Sequence, residues 1–132
     1  MTVTSFHANC VAIEDHEEFC LVGFAEQEFG TTRYLQFQRS HVNDPQDQAL
    51  EMDTYYVERD DQRNSCYGGI ERCDLYADLI MFSFNDVGTR NLDLMGPMRI
   101  SYDIDEKTLK DLRDRLESVF AGTTCLVDHT KE

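Results

Sequence analysis

The side chains that could do chemistry in this sequence are cysteines, histidines and many carboxylates. No two cysteines form a Cys-x-x-Cys pair, and none stands at metal-ligand spacing from a histidine. A nucleophile needs an activating base, and no cysteine, serine or histidine lies in a catalytic signature. We therefore predict a protein without catalytic residues whose thiols stay free, as in a reducing cytoplasm. The residues considered are Cys10, Cys20, Cys66, Cys73, Cys125, His7, His16, His41 and His129.

Two local patterns resemble ligand sites but are better explained by structure. His16 stands among Asp15, Glu17 and Glu18, yet neither EF-hand spacing nor a His-Glu-x-x-His motif is present, so a solvated acidic turn is favoured. Gly68-Gly69 lacks the lysine and the glycine spacing of a phosphate-binding loop, which favours a bulged strand. We predict no bound metal and no cofactor.

The charge of the chain restricts its partners. It has 12 basic and 26 acidic residues and a formal net charge of −14, and residues 1–30 contain no lysine or arginine. Phosphate contacts need basic side chains, so we do not expect nucleic acid or anionic membranes as partners. An acidic surface accelerates encounter with a basic protein, although acidity that serves only solubility remains an alternative. The candidate partner-binding residues are Glu14, Asp15, Glu17, Glu18, Asp44, Asp47, Glu51, Asp53, Asp60 and Asp61.

Period-two alternation and turn residues predict about seven strands that would position these side chains. A loop is expected over residues 41–51, a polar turn over Asp60–Ser65, and a hairpin at residues 29–31. The predicted strands are Val3–Ile13, Phe19–Glu28, Thr32–Arg39, Met52–Arg59, Cys66–Tyr76 with an interruption at Gly68-Gly69, Leu79–Phe84 and Met98–Ile104.

The period changes to that of a helix only near the C-terminus. Apolar residues recur at helical spacing from Leu109 to Phe120, after an N-cap at Asp103 or Asp105 and before a stop at Gly122. Glu106 stands at capping-box spacing from Asp103. The sequence thus predicts one α+β domain over residues 1–132. Its mainly antiparallel sheet or partly open barrel would carry one amphipathic helix, and its tail would fray from about residue 123.

Polar and aromatic side chains within the predicted strands leave a second function open. Arg39, Gln38 and Tyr55 could line a pocket for a small ligand, because arginine favours planar partners such as carboxylates. The alternative is that these groups satisfy one another inside the sheet. An enzyme of unrecognised type is the third and least favoured hypothesis.

Four motifs, in their order and spacing, resemble one family. They are Val22-Gly23-Phe24-Ala25-Glu26, Tyr34-Leu35-Gln36-Phe37-Gln38-Arg39, Tyr55-Tyr56-Val57-Glu58 and Tyr67-Gly68-Gly69-Ile70-Glu71. Over residues 6–120 the chain resembles the Immunity protein 10 family of bacterial polymorphic toxin systems. The matching residues look architectural: Gly23, Phe24, Tyr34, Leu35, Gln38, Arg39, Tyr56, Glu58, Tyr67, Gly68, Gly69 and Ile70.

The resemblance implies a mostly β protein that is made beside a toxin gene and binds the toxin. The acidity of the chain would suit a basic nuclease, whose substrate groove an acidic protein can occupy. The expected protein is therefore a cytoplasmic inhibitor with a cognate, basic toxin as its partner. Exposed sheet edges could also pair two copies of the chain into a homodimer.

Overall fold

Two five-stranded sheets form the framework of the protein. The structure, a computed structural model, describes residues 3–28, 30, 33–41 and 54–130. In these ranges it has ten strands instead of about seven, and neither sheet closes into a barrel. The α+β class is confirmed. The strands are β1 (Thr4–Ala8), β2 (Cys10–Asp15), β3 (Phe19–Ala25), β4 (Tyr34–Ser40), β5 (Tyr56–Arg59), β6 (Asp61–Tyr67), β7 (Ile70–Leu75), β8 (Leu79–Phe84), β9 (Met98–Tyr102) and β10 (Leu126–Asp128).

The two sheets differ in topology. Sheet one has the order β1-β9-β8-β7-β10, in which β1 pairs with β9 and β10 pairs with β7 in parallel. Sheet two is an antiparallel meander in the order β2-β3-β4-β5-β6. The predicted pairing of the second and third predicted strands is confirmed, since β3 and β4 are antiparallel neighbours.

Two predicted boundaries are wrong in the N-terminal half. The predicted strand Val3–Ile13 is divided at Asn9 into β1 and β2, which belong to different sheets. The predicted polar turn Asp60–Ser65 is largely the strand β6. β6 is an edge strand and its first residues are exposed, so its polar side chains meet water, while Asp60 alone makes the turn with a φ of 61°.

The segment Cys66–Tyr76 is also not one strand. Gly68 and Gly69 have φ values of 74° and 94°, and they carry the chain from β6 in sheet two to β7 in sheet one. A short helix that the sequence analysis missed, α1 (Asp86–Asn91), connects β8 to β9 and begins after an N-cap at Asn85. Six residues are too few to display a helical period.

The predicted amphipathic helix is confirmed as α2 (Glu106–Val119), which buries Leu112, Leu116 and Val119. Its N-cap is Asp105, whose Oδ1 accepts a hydrogen bond of 2.7 Å from the amide of Thr108. The proposed capping box of Asp103 with Glu106 is therefore wrong.

Aromatic side chains join the inner faces of the sheets to α2. The ring centroid of Phe37 on β4 lies 5.2 Å from that of Phe82 on β8 and 5.6 Å from that of Phe120. Phe24 on β3 likewise contacts Phe82 and Tyr102. One core thus holds both sheets and the helix together.

The C-terminal segment is part of the fold up to residue 130. Cys125 is buried, and β10 extends sheet one beside β7. The His129 amide then donates a hydrogen bond to the carbonyl of Leu75.

Neither of the helices in the described ranges is long and apolar enough to cross a membrane.

Candidate partner-binding surface

The face of sheet two that points away from the core is a continuous, partly exposed surface. In β3 and β4 the core residues alternate with half-buried ones, so the alternate side chains point outward. Strand register places Ala12, Gly23, Gln36, Glu58 and Ser65 in one row across all five strands. We define the outer face by its residues: Cys10, Ala12, Glu14, Leu21, Gly23, Ala25, Tyr34, Gln36, Gln38, Tyr56, Glu58, Ser65 and Tyr67.

Glu58 lies near the centre of the outer face, where only 8% of its surface is exposed. Its two carboxylate oxygens accept hydrogen bonds from the hydroxyls of Tyr34, at 2.5 Å, and Tyr56, at 2.8 Å. Burial and the adjacent Glu58 raise the pKa of Tyr34 above its ordinary value, and burial also raises the pKa of Tyr56. Both hydroxyls therefore remain donors at neutral pH and hold the carboxylate in place.

A depression of about 360 Å³ opens beside Glu58. Its lining includes Ala12 and Ala25, which have small side chains, and Gly23, which has none, and its acidic residues are Glu14, Glu28 and Glu58. Neither lysine nor arginine is among the residues that line it. The depression thus combines an apolar floor with carboxylates, an arrangement that suits a cationic side chain with an aliphatic stem.

A second depression of about 450 Å³ lies further along the outer face. Gln38, Tyr56 and Tyr67 line it together with Glu18 and Phe19, and the rings of Tyr56 and Tyr67 are 5.4 Å apart between centroids. Tyrosine is enriched at protein interfaces because it offers a large apolar surface and one polar group.

The predicted acidic residues do not form one patch. Glu14, Asp15, Glu17 and Glu18 lie at the β2–β3 turn, beside the end of β4 that contains Ser40. Asp60 and Asp61 lie at the β5–β6 turn, beside Tyr34 at the other end of β4. The outer face extends between the two groups, with Glu14 at one end of it. Asp44, Asp47, Glu51, Asp53 and the predicted loop after His41 fall outside the described residues.

Two of these acids contact basic side chains of the same chain. Asp15 contacts His41 at 2.9 Å and Arg115 at 3.0 Å, while Glu14 contacts His16 at 2.7 Å. Such contacts tie the β2–β3 turn to β4 and α2.

The acids at the other end of the sheet also stabilise a turn. Asp60 accepts a hydrogen bond from the Tyr34 amide, and Asp61 accepts one from the Arg63 amide. Of the six predicted acids that the structure describes, Glu17 and Glu18 are exposed acids for which no such role is observed.

The predicted small-ligand pocket of Gln38, Arg39 and Tyr55 does not form, which corrects that hypothesis. Gln38 lies on the outer face, but Arg39 points inward and donates hydrogen bonds to the carbonyls of Val119 and Ala121 at the end of α2. Tyr55 is 3% exposed, and its hydroxyl accepts a hydrogen bond from the Ile70 amide. Strand alternation separates Gln38 from Arg39, and this alternation was readable in the sequence.

The residues that carry the family resemblance divide between structure and surface. Six of them lie on the outer face, while Phe24, Leu35 and Ile70 are buried in the core. Ala12, Leu21 and Gln36 are not among the predicted site residues, because their place beside Gly23 and Glu58 depends on strand register. The six outer-face residues are Gly23, Tyr34, Gln38, Tyr56, Glu58 and Tyr67.

The thiols and other potential metal ligands have no evident chemical role. All five cysteines are free, and burial raises the pKa of the Cys20, Cys66, Cys73 and Cys125 thiols. A raised pKa lowers the thiolate fraction at neutral pH and makes these thiols poor nucleophiles. Over the described ranges, no three His, Cys, Asp or Glu side chains converge to hold a metal ion.

Comparison with known proteins identifies one family. The family model described as Immunity protein 10 matches residues 7–110, from β1 into α2 and including the whole outer face. No curated protein matches the chain.

Proposed function

The chain belongs to the Immunity protein 10 family, and we propose that it binds a cognate toxin and blocks that toxin's active site or substrate groove. The match over residues 7–110 is the observation that carries this proposal, because membership of the family implies an immunity protein against a toxin. The protein acts by binding and not by turnover. It works in the cytoplasm of the cell that makes both proteins, as part of a polymorphic toxin system.

The toxin that we propose is a basic nuclease. The formal net charge of −14 favours a cationic partner and disfavours nucleic acid as a direct ligand. A nuclease binds phosphate through lysine and arginine, so its substrate groove offers the positive surface that an acidic inhibitor can occupy. The depression beside Glu58, which has carboxylates and no basic lining residue, is consistent with such a partner.

The direct test uses the toxin domain encoded beside the gene for this chain. The purified toxin domain is assayed for cleavage of DNA and of RNA, alone and with excess immunity protein, and the complex is measured by calorimetry. We expect a one-to-one complex and loss of cleavage. An immunity protein of another family serves as the control for non-specific inhibition by an acidic protein.

The outcomes separate the parts of the proposal. Full toxin activity in the presence of excess protein would refute the inhibitory function. Inhibition of a toxin that cleaves neither DNA nor RNA would retain the immunity function and reject the nuclease.

A further inference from the structure

We propose that the depression beside Glu58 is the centre of the toxin-binding surface and that it receives one arginine or lysine side chain of the toxin. This inference rests on the proposed function and adds the surface and the chemistry of the group that it recognises. Four features support it: the shape of the depression, its charge, the residues that hold Glu58, and the contrast with sheet one.

The floor of the depression has room because its side chains are small. Gly23 stands between Ala12 on β2 and Gln36 on β4. A Cβ added at Gly23 would lie 3.7 Å from the Cβ of Gln36 and 3.8 Å from that of Ala12, which are ordinary contacts. Neither the backbone nor its neighbours require glycine here. The missing side chain instead leaves an open space between Ala12 and Gln36, where a larger residue would fill the depression.

Glu58 supplies a carboxylate that is already oriented and largely removed from water. Tyr34 and Tyr56 hold it by two hydroxyl hydrogen bonds, but the salt bridges within the described residues include none to Glu58. A carboxylate with little exposed surface binds a cation more strongly than an exposed one, because water screens the pair less. A guanidinium can also meet a carboxylate through two hydrogen bonds and stack on a tyrosine ring.

Glu14 and Glu28 add negative charge around the same depression. The stem of a lysine or arginine would contact Ala12, Gly23 and Ala25 while its charged end reaches Glu58. Tyr56 and Tyr67 continue the surface toward the second depression, where flanking residues of the toxin can pack.

The outward side of sheet one is less suited to a basic partner. A depression on sheet one is lined by Ser5, His7, Arg99 and Ser101, while Arg72 on β7 is paired with Asp74 at 2.9 Å. Arg99 gives that depression a positive charge and no carboxylate lines it, whereas three carboxylates line the depression beside Glu58. Charge complementarity therefore favours sheet two as the face that the toxin contacts.

The test compares two variants that alter the depression with two matched controls on sheet one. Gly23→Val fills the depression without changing charge, and a β-branched residue is well tolerated in a strand. Glu58→Gln removes the charge and keeps the shape. The controls make the same kinds of change in strands of sheet one: Ser83→Val in β8 and Glu71→Gln in β7. Dissociation constants for the purified toxin domain are measured by calorimetry, and circular dichroism verifies that each variant is folded.

We expect Gly23→Val and Glu58→Gln each to weaken toxin binding by about tenfold or more, as for central interface residues, and the controls to change it by less than about twofold. Equal affinity of folded Gly23→Val and wild type would overturn the inference while leaving the immunity function intact. Loss of affinity in the sheet-one controls alone would likewise overturn it. No binding by the wild-type protein would instead refute the proposed function.

Size-exclusion chromatography with light scattering tests a second copy of the chain as the occupant. A wild-type dimer that becomes monomeric in Gly23→Val would overturn the assignment of the depression to the toxin. A monomer in both proteins, together with the affinity loss, would support it.

Discussion

Gly69 and Gly88 lie in direct backbone contact, so neither has room for a side chain. A Cβ added to Gly88 would lie 2.2 Å from the carbonyl oxygen of Gly69, and one added to Gly69 would lie 2.9 Å from the Cα of Gly88. The same Gly69 carbonyl accepts a hydrogen bond from the amide of Asn85, the N-cap of α1. This contact fixes the turn that leads from sheet two to sheet one against the connection between β8 and β9.

Replacing Gly88 by alanine is therefore expected to separate these two backbones. We expect Gly88→Ala to lower the free energy of unfolding by about 2–4 kcal/mol, because the neighbouring atoms are backbone and cannot move aside easily. Gly23→Ala is the matched control, since its new methyl group makes only ordinary contacts. Urea unfolding of the two variants measures the difference, and equal stabilities would show that the turn yields without cost.

Arg39 contacts the C-terminal end of α2. Its guanidinium donates hydrogen bonds of 2.9 Å to the Val119 carbonyl and 2.6 Å to the Ala121 carbonyl, and the last turn of α2 contains no basic residue. A cation at this end also interacts favourably with the helix dipole. We expect Arg39→Met to lower the free energy of unfolding by about 1–3 kcal/mol and to leave the toxin affinity of the folded protein unchanged.

Arg63→Met provides the control for Arg39→Met, because 88% of the Arg63 side chain is exposed. Its stability should change by less than about 0.5 kcal/mol. Urea unfolding and toxin calorimetry measure both variants. A folded Arg39→Met variant that loses toxin affinity would contradict a purely stabilising role.

The outcome for Arg39 illustrates what could be predicted from the sequence. Alternation in Tyr34-Leu35-Gln36-Phe37-Gln38 identifies a strand with one buried face, and it places Gln38 and Arg39 on opposite sides. The sequence does not reveal that Arg39 reaches α2, because the two elements are 80 residues apart and meet only through the tertiary fold. The period of α2 was readable because 14 residues show several turns.

The outer face could not be predicted from the sequence, because its rows of residues depend on the register between strands. Glu58 and Gly23 share one row only because β4 pairs with both β3 and β5. Composition predicts the acidic residues as binding residues, yet Asp60 and Asp61 accept backbone hydrogen bonds at the β5–β6 connection. Composition records the charge of a side chain but not its neighbours, so it could not separate these acids from Glu58.

The attachment of β10 is expected to depend on pH. Burial raises the pKa of Asp74, but the hydrogen bonds and charges of Arg72 and His129 outweigh burial and lower it overall. A pKa that is lower in the folded state means that ionised Asp74 stabilises the fold above its unfolded pKa of about 3.9, and that this contribution is lost as the pH falls through the folded pKa. His129 follows β10 directly, so the loss should loosen this strand first.

Hydrogen exchange of residues 126–128 measures this loosening. We expect the protection of these amides, measured relative to their intrinsic exchange rate at each pH, to fall in the wild type as the pH falls below about 4. Asp74→Asn should show the faster exchange already at pH 7 and a weaker pH dependence. Asp78→Asn, an exposed change at the β7–β8 turn, is the control and should behave like the wild type. Identical protection in Asp74→Asn and wild type would show that the backbone pairing with β7 holds β10 by itself.

Charges at different depths should affect different steps of toxin binding. Glu17 and Glu18 are exposed at the β2–β3 turn, whereas Glu58 is nearly buried within the outer face. Exposed charges steer the encounter and are screened by salt, while a desolvated pair acts after contact is made.

The double variant Glu17→Gln/Glu18→Gln should therefore lower the association rate constant about twofold or more at low salt and leave the dissociation rate constant unchanged. Glu58→Gln should instead raise the dissociation rate constant by about tenfold. Stopped-flow and surface plasmon resonance measurements from about 50 mM to about 500 mM salt distinguish these effects. If Glu58→Gln alters only association, and that effect disappears at high salt, then Glu58 contributes to the general acidic field and makes no direct contact with the toxin.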